Sequence, residues 1–255
     1  MEATLENVPL ARSGRERFYL WTAVVFLLIA FGGFTPTYWA RVASGTFNAP
    51  PIVHIHGALL FSWTLFYLLQ TVLVASGRMP LHRSWGLFGI SLFSVMICSI
   101  LVTRITLMHL EQLRGFGDAS LRFSALAFCS VPLLVIFFAL AISNIRRPEV
   151  HKRYMYLLMS GLMIPALARV FLTILAPGSA AGGPPPPPFV VIPPTLTAGL
   201  LILAAVVHDW RSRGKPHPVY VYGGIVLIAW SILIVPFANT QVWMILSRSL
   251  RALGG

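Results

Sequence analysis

The fold of this chain is decided by long apolar stretches such as residues 84–108, SWGLFGISLFSVMICSILVTRITLM. The only charged side chain among these residues is that of Arg104. A helix needs about 20 mostly apolar residues to span the hydrocarbon of a bilayer. The stretch is therefore long enough and apolar enough to be a transmembrane helix.

Six further segments have the same character. We therefore predict an all-α, seven-helix transmembrane bundle over residues 19–248, between an N-terminal tail (1–18) and a C-terminal tail (249–255). The first segment follows a run of arginines, as a signal peptide would. It has no convincing small-residue cleavage site, so we interpret it as a retained helix. The predicted spans are about 19–39, 52–75, 84–108, 122–145, 153–176, 189–208 and 219–245.

The composition excludes a soluble globular enzyme. The 255 residues are 57% hydrophobic and 10% charged, with a mean hydropathy of +0.79, whereas soluble domains are about 45–50% apolar and about 25% charged. The net charge is +12, but no basic stretch is interleaved with aromatic residues, which argues against a nucleic-acid partner. Cys98 and Cys129 lie inside apolar runs, so neither a disulfide framework nor a thiolate metal site is indicated.

The basic residues indicate how the chain is oriented. Twelve of the nineteen Lys and Arg residues lie in the N-terminal tail or after predicted helices 2, 4 and 6. The positive-inside rule then predicts a cytoplasmic N-terminus in a bacterial inner membrane and, after seven crossings, a C-terminus outside. Basic residues at the cytoplasmic face favour contact with anionic lipids.

A proline-rich segment separates predicted helices 5 and 6. Residues 177–188, PGSAAGGPPPPP, carry no charge, and five consecutive prolines favour an extended polyproline II conformation. Two interpretations remain open, a stiff spacer and a lid.

Polar residues at membrane depth are the informative ones, because a lipid-exposed position is costly for them. On helix 2, His56, Trp63 and Gln70 recur every seven residues, and Tyr67 lies one turn from the last two. Residues at this spacing share one face of a helix. We expect this polar stripe to face the bundle.

Arg169 is the most telling single residue. It lies 16 residues into predicted helix 5, which is about 24 Å along the helix and short of the opposite interface. Arg104 is placed similarly on helix 3, with Glu111 seven residues later on the same face. Each arginine either extends to the lipid headgroups or meets an anion inside the bundle.

Three histidines are predicted to lie near the same outer depth as these arginines. His56 and His109 are candidate axial ligands of a b-type haem, with His54 as a further haem or metal candidate. Arg104 and Arg169 would then pair with the haem propionates or with another anion. Taken singly, each histidine is also explained by a hydrogen bond between helices.

A second group of histidines is predicted at the cytoplasmic face. His82 opens helix 3, His151 opens helix 5 and His208 ends helix 6. Contact with anionic lipids accounts for much of the charge around them. A second metal or haem site is the alternative.

Two segments resemble a broad family of bacterial polytopic membrane proteins of unknown function. Residues 52–86, IVHIHGALLFSWTLFYLLQTVLVASGRMPLHRSWG, carry a His-Gly opening, a late Gln and a Leu-His-Arg-x-x-Gly loop. Residues 146–169, RRPEVHKRYMYLLMSGLMIPALAR, resemble the second landmark of the same family. The loop is also similar to the haem-ligand motif of haem A synthases, although Met79 stands where those proteins have Glu. This second resemblance implies b-type haem as a possible cofactor.

The sequence leaves three functions open. The first is a membrane redox or haem-binding protein with a site near the outer face. The second is a non-enzymatic transporter or sensor that binds a small anion or lipid. The third is an accessory subunit of a larger membrane complex. Whether the chain is an enzyme is left open.

Overall fold

The computed structural model describes residues 8–175 and 183–254, with side chains from residue 17 onward. Within these ranges the chain is helical and contains no strand. Seven helical segments are long and apolar enough to cross a membrane. The predicted all-α, seven-helix membrane fold is therefore confirmed.

Eight helices make up the described part of the chain. The first continues through a π-helical segment, Thr35–Trp39, and a final α-turn, Ala40–Ala43. A short 3₁₀ turn, Pro188–Val191, precedes the sixth. The helices are α1 Val8–Phe34, α2 Pro51–Ala75, α3 Met79–Leu113, α4 Gly117–Ser143, α5 Pro148–Leu175, α6 Ile192–Arg213, α7 Pro218–Phe237 and α8 Gln241–Ala252.

The largest difference from the predicted boundaries is at the C-terminal end. The sequence predicts a seventh span over 219–245, but α7 ends at Phe237 and α8 is a separate helix. The break has a local cause, because Thr240 caps α8 by accepting a hydrogen bond from the Trp243 N–H (3.2 Å). α8 then packs across the ends of α3 and α4.

The other large difference is at the N-terminal end. α1 begins at Val8, inside the segment that the sequence assigns to a tail ending at residue 18. Its far end widens into the π-helical segment at Pro36. Proline has no N–H for the helical ladder, so it favours this kind of local rearrangement.

The proline-rich segment is described only in part, since residues 177–182 lie outside the described ranges. Pro187 has polyproline II angles (φ −60°, ψ 147°). After the prolines, Val190 and Val191 turn into the bundle and line an internal cavity.

α5 is the central helix of the bundle, since it packs against α1, α4, α6 and α7. Its contact with α1 is very close, because a Cβ added to Gly33 would lie 2.5 Å from the Ala166 backbone oxygen. Tyr156 on α5 is fully buried and contacts Phe26 (centroids 5.2 Å apart) and Tyr220 (5.4 Å apart). This aromatic layer fills the part of the bundle near the end where α5 and α7 begin.

Successive helices run in opposite directions, so the bundle has an N-terminal face and a C-terminal face. The N-terminal face carries the α2–α3, α4–α5 and α6–α7 turns. The C-terminal face carries the α1–α2, α3–α4 and α5–α6 connections together with α8.

Candidate functional site

A cavity of about 370 Å³ lies in the half of the bundle nearest the C-terminal face. Its walls come from α1, α2, α3, α4, α5 and α7 and from the turn before α6. Its deep end, lined by Trp63, Gly161 and Leu227, is near the middle of the bundle. Small-molecule sites commonly have volumes of about 300–1,000 Å³ and mostly apolar walls with a few polar groups. This cavity has both properties.

Arg169 supplies the main charge in the cavity. Its side chain lines the cavity and is accessible to solvent. The guanidinium carbon lies 5.8 Å from the centroid of the Phe34 ring. Among the described residues, no side-chain hydrogen bond or ion pair neutralises it. A guanidinium keeps its proton in proteins, so Arg169 presents an uncompensated positive charge to the cavity.

Arg104 also lines the cavity, but its charge is already matched. It forms a bidentate ion pair with Glu111, one arm of which is 3.3 Å long. Ser120 on α4 joins the two, at 2.9 Å from Arg104 Nη2 and 2.5 Å from Glu111 Oε2. Arg104 is 7% exposed. Arg104 is therefore held inside the bundle by Glu111 and does not extend to the headgroups.

His56 lines the same cavity in a defined tautomer. Its Nδ1 is 3.1 Å from Ser99 Oγ, and Ser99 donates its one hydroxyl proton to the Met96 carbonyl (2.6 Å). Ser99 must therefore accept, so the neutral His56 ring carries its proton on Nδ1. Nε2 then has a lone pair and no hydrogen-bond partner among the described residues. It is available to a ligand proton or to a metal.

The other two outer histidines do not join His56. His54 is hydrogen-bonded through Nδ1 to the Tyr38 hydroxyl (3.0 Å), and neither His54 nor His109 lines the cavity. Within the described ranges, no group of three or more His, Cys, Asp or Glu residues could hold a metal ion. The expected pairing of His56 with His109 around one ligand is not found.

The polar stripe on α2 is directed into the bundle. Trp63 is 1% exposed and packs against Phe93 (centroids 5.3 Å apart), and Tyr67 is buried against Phe26 (5.9 Å). Trp63 Nε1 and both amide atoms of Gln70 are buried and have no partner among the described residues. Trp63 is the member of the stripe, besides His56, that lines the cavity.

The histidines at the N-terminal face do not form one site. The rings of His82 and His151 are near neighbours, with centroids 6.4 Å apart. His151 Nδ1–H donates to the Ala141 carbonyl (2.9 Å). His208 instead stacks on Phe18, with centroids 4.0 Å apart. Three-histidine coordination at this face is therefore not supported.

A buried ion-pair cluster at the N-terminal face was not anticipated from the sequence. Arg153 binds both oxygens of Asp209 (2.8 and 2.6 Å), and each residue is 1% exposed. Arg153 also binds Glu149 (2.8 Å), which in turn pairs with Lys152 (2.7 Å) and with Arg213. The cluster ties α5 to the end of α6. In the sequence, the basic residues beside the ends of these helices resemble a patch that contacts lipid headgroups. The signal for ion pairs was the presence of two of the chain's seven acidic residues, Glu149 and Asp209, next to them.

A second cavity, of about 410 Å³, lies beneath the prolines at the C-terminal face. It is lined by Pro185–Phe189, Arg122 and Asn239. Arg122 is half-buried and donates a hydrogen bond to Oδ1 of the exposed Asn239 (2.6 Å). This surface pocket lacks the unpartnered charge of the first cavity, which is therefore the better candidate site.

Comparisons of the chain with protein-family models, with curated proteins and with solved structures found no match. The geometry therefore defines a class, a multi-pass α-helical membrane protein with an internal cavity. The family resemblances drawn from the sequence remain predictions.

Proposed function

We propose that this protein binds an amphiphilic anion in the cavity, with the anionic head at Arg169 and the apolar body toward Trp63 and Leu227. The observation that carries the proposal is the unpaired guanidinium of Arg169 in a mostly apolar cavity. A lipid-facing charge at membrane depth costs at least about 2.5–3.5 kcal/mol, and Arg169 instead faces the cavity, where no protein group among the described residues supplies its counter-charge. A bound carboxylate, sulfonate or phosphate ester would supply it.

The arrangement of the cavity also supports an amphiphile. Arg169 lies eight residues beyond Gly161 along α5, about 12 Å closer to the C-terminal face. The deep part of the cavity offers apolar side chains such as Leu133, Leu134 and Met163. A ligand with a charged head and a short alkyl tail fits this division.

The orientation belongs to the same proposal. The excess of Lys and Arg in the N-terminal tail and in the turns of the N-terminal face supports a cytoplasmic location for that face. The cavity would then open toward the outer leaflet of a bacterial inner membrane. A transporter or a sensor is the class of protein that such a site serves.

Binding of octanoate tests the proposal. The protein is placed in nanodiscs of zwitterionic lipid, and radiolabelled octanoate is titrated, with protein-free nanodiscs as the blank for partition into lipid. We expect saturable binding to the wild type and its loss in Arg169→Ala. Arg169→Lys should lose most of it, because an ammonium lacks the planar fork of a guanidinium.

Arg122→Ala is the matched control, since Arg122 is an arginine of the same face that lies outside the cavity. It should bind octanoate like the wild type. Equal binding by wild type and Arg169→Ala would refute the proposed site.

A b-type haem is the second candidate ligand, and the tautomer of His56 favours it. Histidines that bind metals usually donate their other ring N–H to a protein oxygen, as His56 does to Ser99. His56 would supply the single axial ligand from the cavity wall, and Arg169 would bind a propionate. Bound haem would supply one-electron redox chemistry.

A visible spectrum of protein expressed with ample haem separates the two ligands. A Soret band that is lost in His56→Ala and kept in His109→Ala would identify haem in this cavity. Absence of the band in the wild type removes haem and leaves the amphiphilic anion.

A further inference from the structure

The ionisable groups around the cavity constrain the charge of its ligand. Among the described residues, the ionisable side chains that line it are those of Tyr38, His56, Arg104 and Arg169, and no carboxylate does so. The tyrosine hydroxyl and the neutral His56 ring, which carries its proton on Nδ1, add no charge to the wall. The two guanidiniums are both charged.

The positive charge of Arg104 is neutralised by a carboxylate that lies outside the cavity. Glu111 does not line the cavity, yet both of its oxygens bind Arg104. Ser120 completes this neutral cluster by bonding to both partners (2.9 and 2.5 Å). The net charge at the cavity is therefore +1, and it resides on Arg169.

From this balance we propose that the cavity selects monoanions over dianions, and that Glu111 determines this selectivity. The inference rests on the proposed function and specifies the charge of its ligand. A monoanion brings the site to neutrality. A dianion would leave one negative charge uncompensated in a region of low dielectric, where charge is expensive.

Three probes with straight alkyl tails of similar length test the selectivity in nanodiscs at pH 7.5. Octanoate and octanesulfonate are monoanions. Octyl phosphate is mostly a dianion, since a phosphate monoester has a second pKa of about 6. We expect the wild type to bind each monoanion at least about ten-fold more tightly than octyl phosphate, which is about 1.4 kcal/mol.

Glu111→Gln provides the charge change with little change in shape. It releases the charge of Arg104 and raises the net charge of the site to +2. We expect the affinity ratio to move toward octyl phosphate by at least about ten-fold. The matched control is Arg104→Gln/Glu111→Gln, which returns the net charge to +1 and should restore the wild-type ratio.

The outcomes distinguish this inference from the function on which it rests. Saturable binding of all three probes with equal affinity to the wild type overturns the charge selectivity alone, and this measurement needs no variant. An unchanged ratio in folded Glu111→Gln overturns the role of Glu111. Absence of saturable binding of every probe overturns the proposed function and the selectivity with it.

Discussion

Removal of the Asp209 carboxylate should strongly destabilise the bundle. Asp209→Ala leaves the Arg153 guanidinium, which is 1% exposed, without its bidentate partner on α6. Breaking a buried ion pair from one side typically costs about 3–5 kcal/mol. Glu149 remains 2.8 Å from Arg153 and is partly exposed, so part of the charge stays compensated. We therefore expect a loss near the low end, about 3 kcal/mol.

The free energy of unfolding would be measured by SDS titration of the detergent-solubilised protein. Asp118→Ala is the control, because Asp118 is an exposed acid in the first turn of α4, where an acid contributes only about 0.3–1 kcal/mol. Arg153→Met/Asp209→Leu removes both charges and should recover most of the loss, since a buried pair can be replaced by apolar residues at little cost. Equal free energies of unfolding for Asp209→Ala and Asp118→Ala would contradict a buried ion pair between Arg153 and Asp209.

Three further predictions concern packing, pH and topology. Gly33→Ala should lower the free energy of unfolding by about 1–3 kcal/mol in the same assay, because the added Cβ would meet the Ala166 backbone. Gly32→Ala is the control, since a Cβ at that position would have no atom within 4 Å, and it should unfold like the wild type. Burial, followed by the nearby positive charge of Arg153, lowers the pKa of His217 from its ordinary value, so its neutral form is favoured in the folded state. The stability that neutral His217 contributes should be complete above a pH of about 6.5 and be lost as the pH falls toward the lowered pKa. We therefore expect the free energy of unfolding to fall more steeply between pH 7.5 and 5.5 in the wild type than in His217→Asn. An equal pH dependence in the two proteins would exclude this contribution. A cysteine added after Gly255 should react with an impermeant reagent from the outside only, and labelling from the cytoplasmic side alone would contradict the orientation.

The number of spans could be predicted from the sequence because bilayer thickness fixes how long an apolar run must be. The boundary between α7 and α8 could not, since residues after Phe237 return quickly to an apolar run and hydropathy alone does not register the Thr240 cap. The interior position of Trp63 and Tyr67 followed from their helical spacing. Periodicity assigns residues to a shared face, and in this chain that face is buried.

The site was only partly predictable, for reasons of geometry. The seven-residue spacing placed Arg104 and Glu111 on one face of α3, and they are paired. Helical depth placed His56 and His109 at a similar level, but depth does not say which way each side chain points around its helix. Arg153 and Asp209 are separated by 56 residues, so their contact depends on how α5 packs against α6, which no local pattern contains.

The central position of α5 has a consequence for how binding would be transmitted. Arg169 and Arg153 lie on this one helix, 16 residues and about 24 Å apart. The helix therefore connects the unpaired charge of the cavity directly to the ion-pair cluster of the opposite face. Pro165 interrupts the backbone hydrogen bonds of α5. The next residue, Ala166, packs closely against Gly33 of α1. A displacement of Arg169 would therefore either bend α5 at Pro165 or shift the helix along its axis as far as Arg153. If a ligand binds Arg169, the stiffness of the turn at Pro165 would determine how much of its effect reaches the ion-pair cluster at the opposite face.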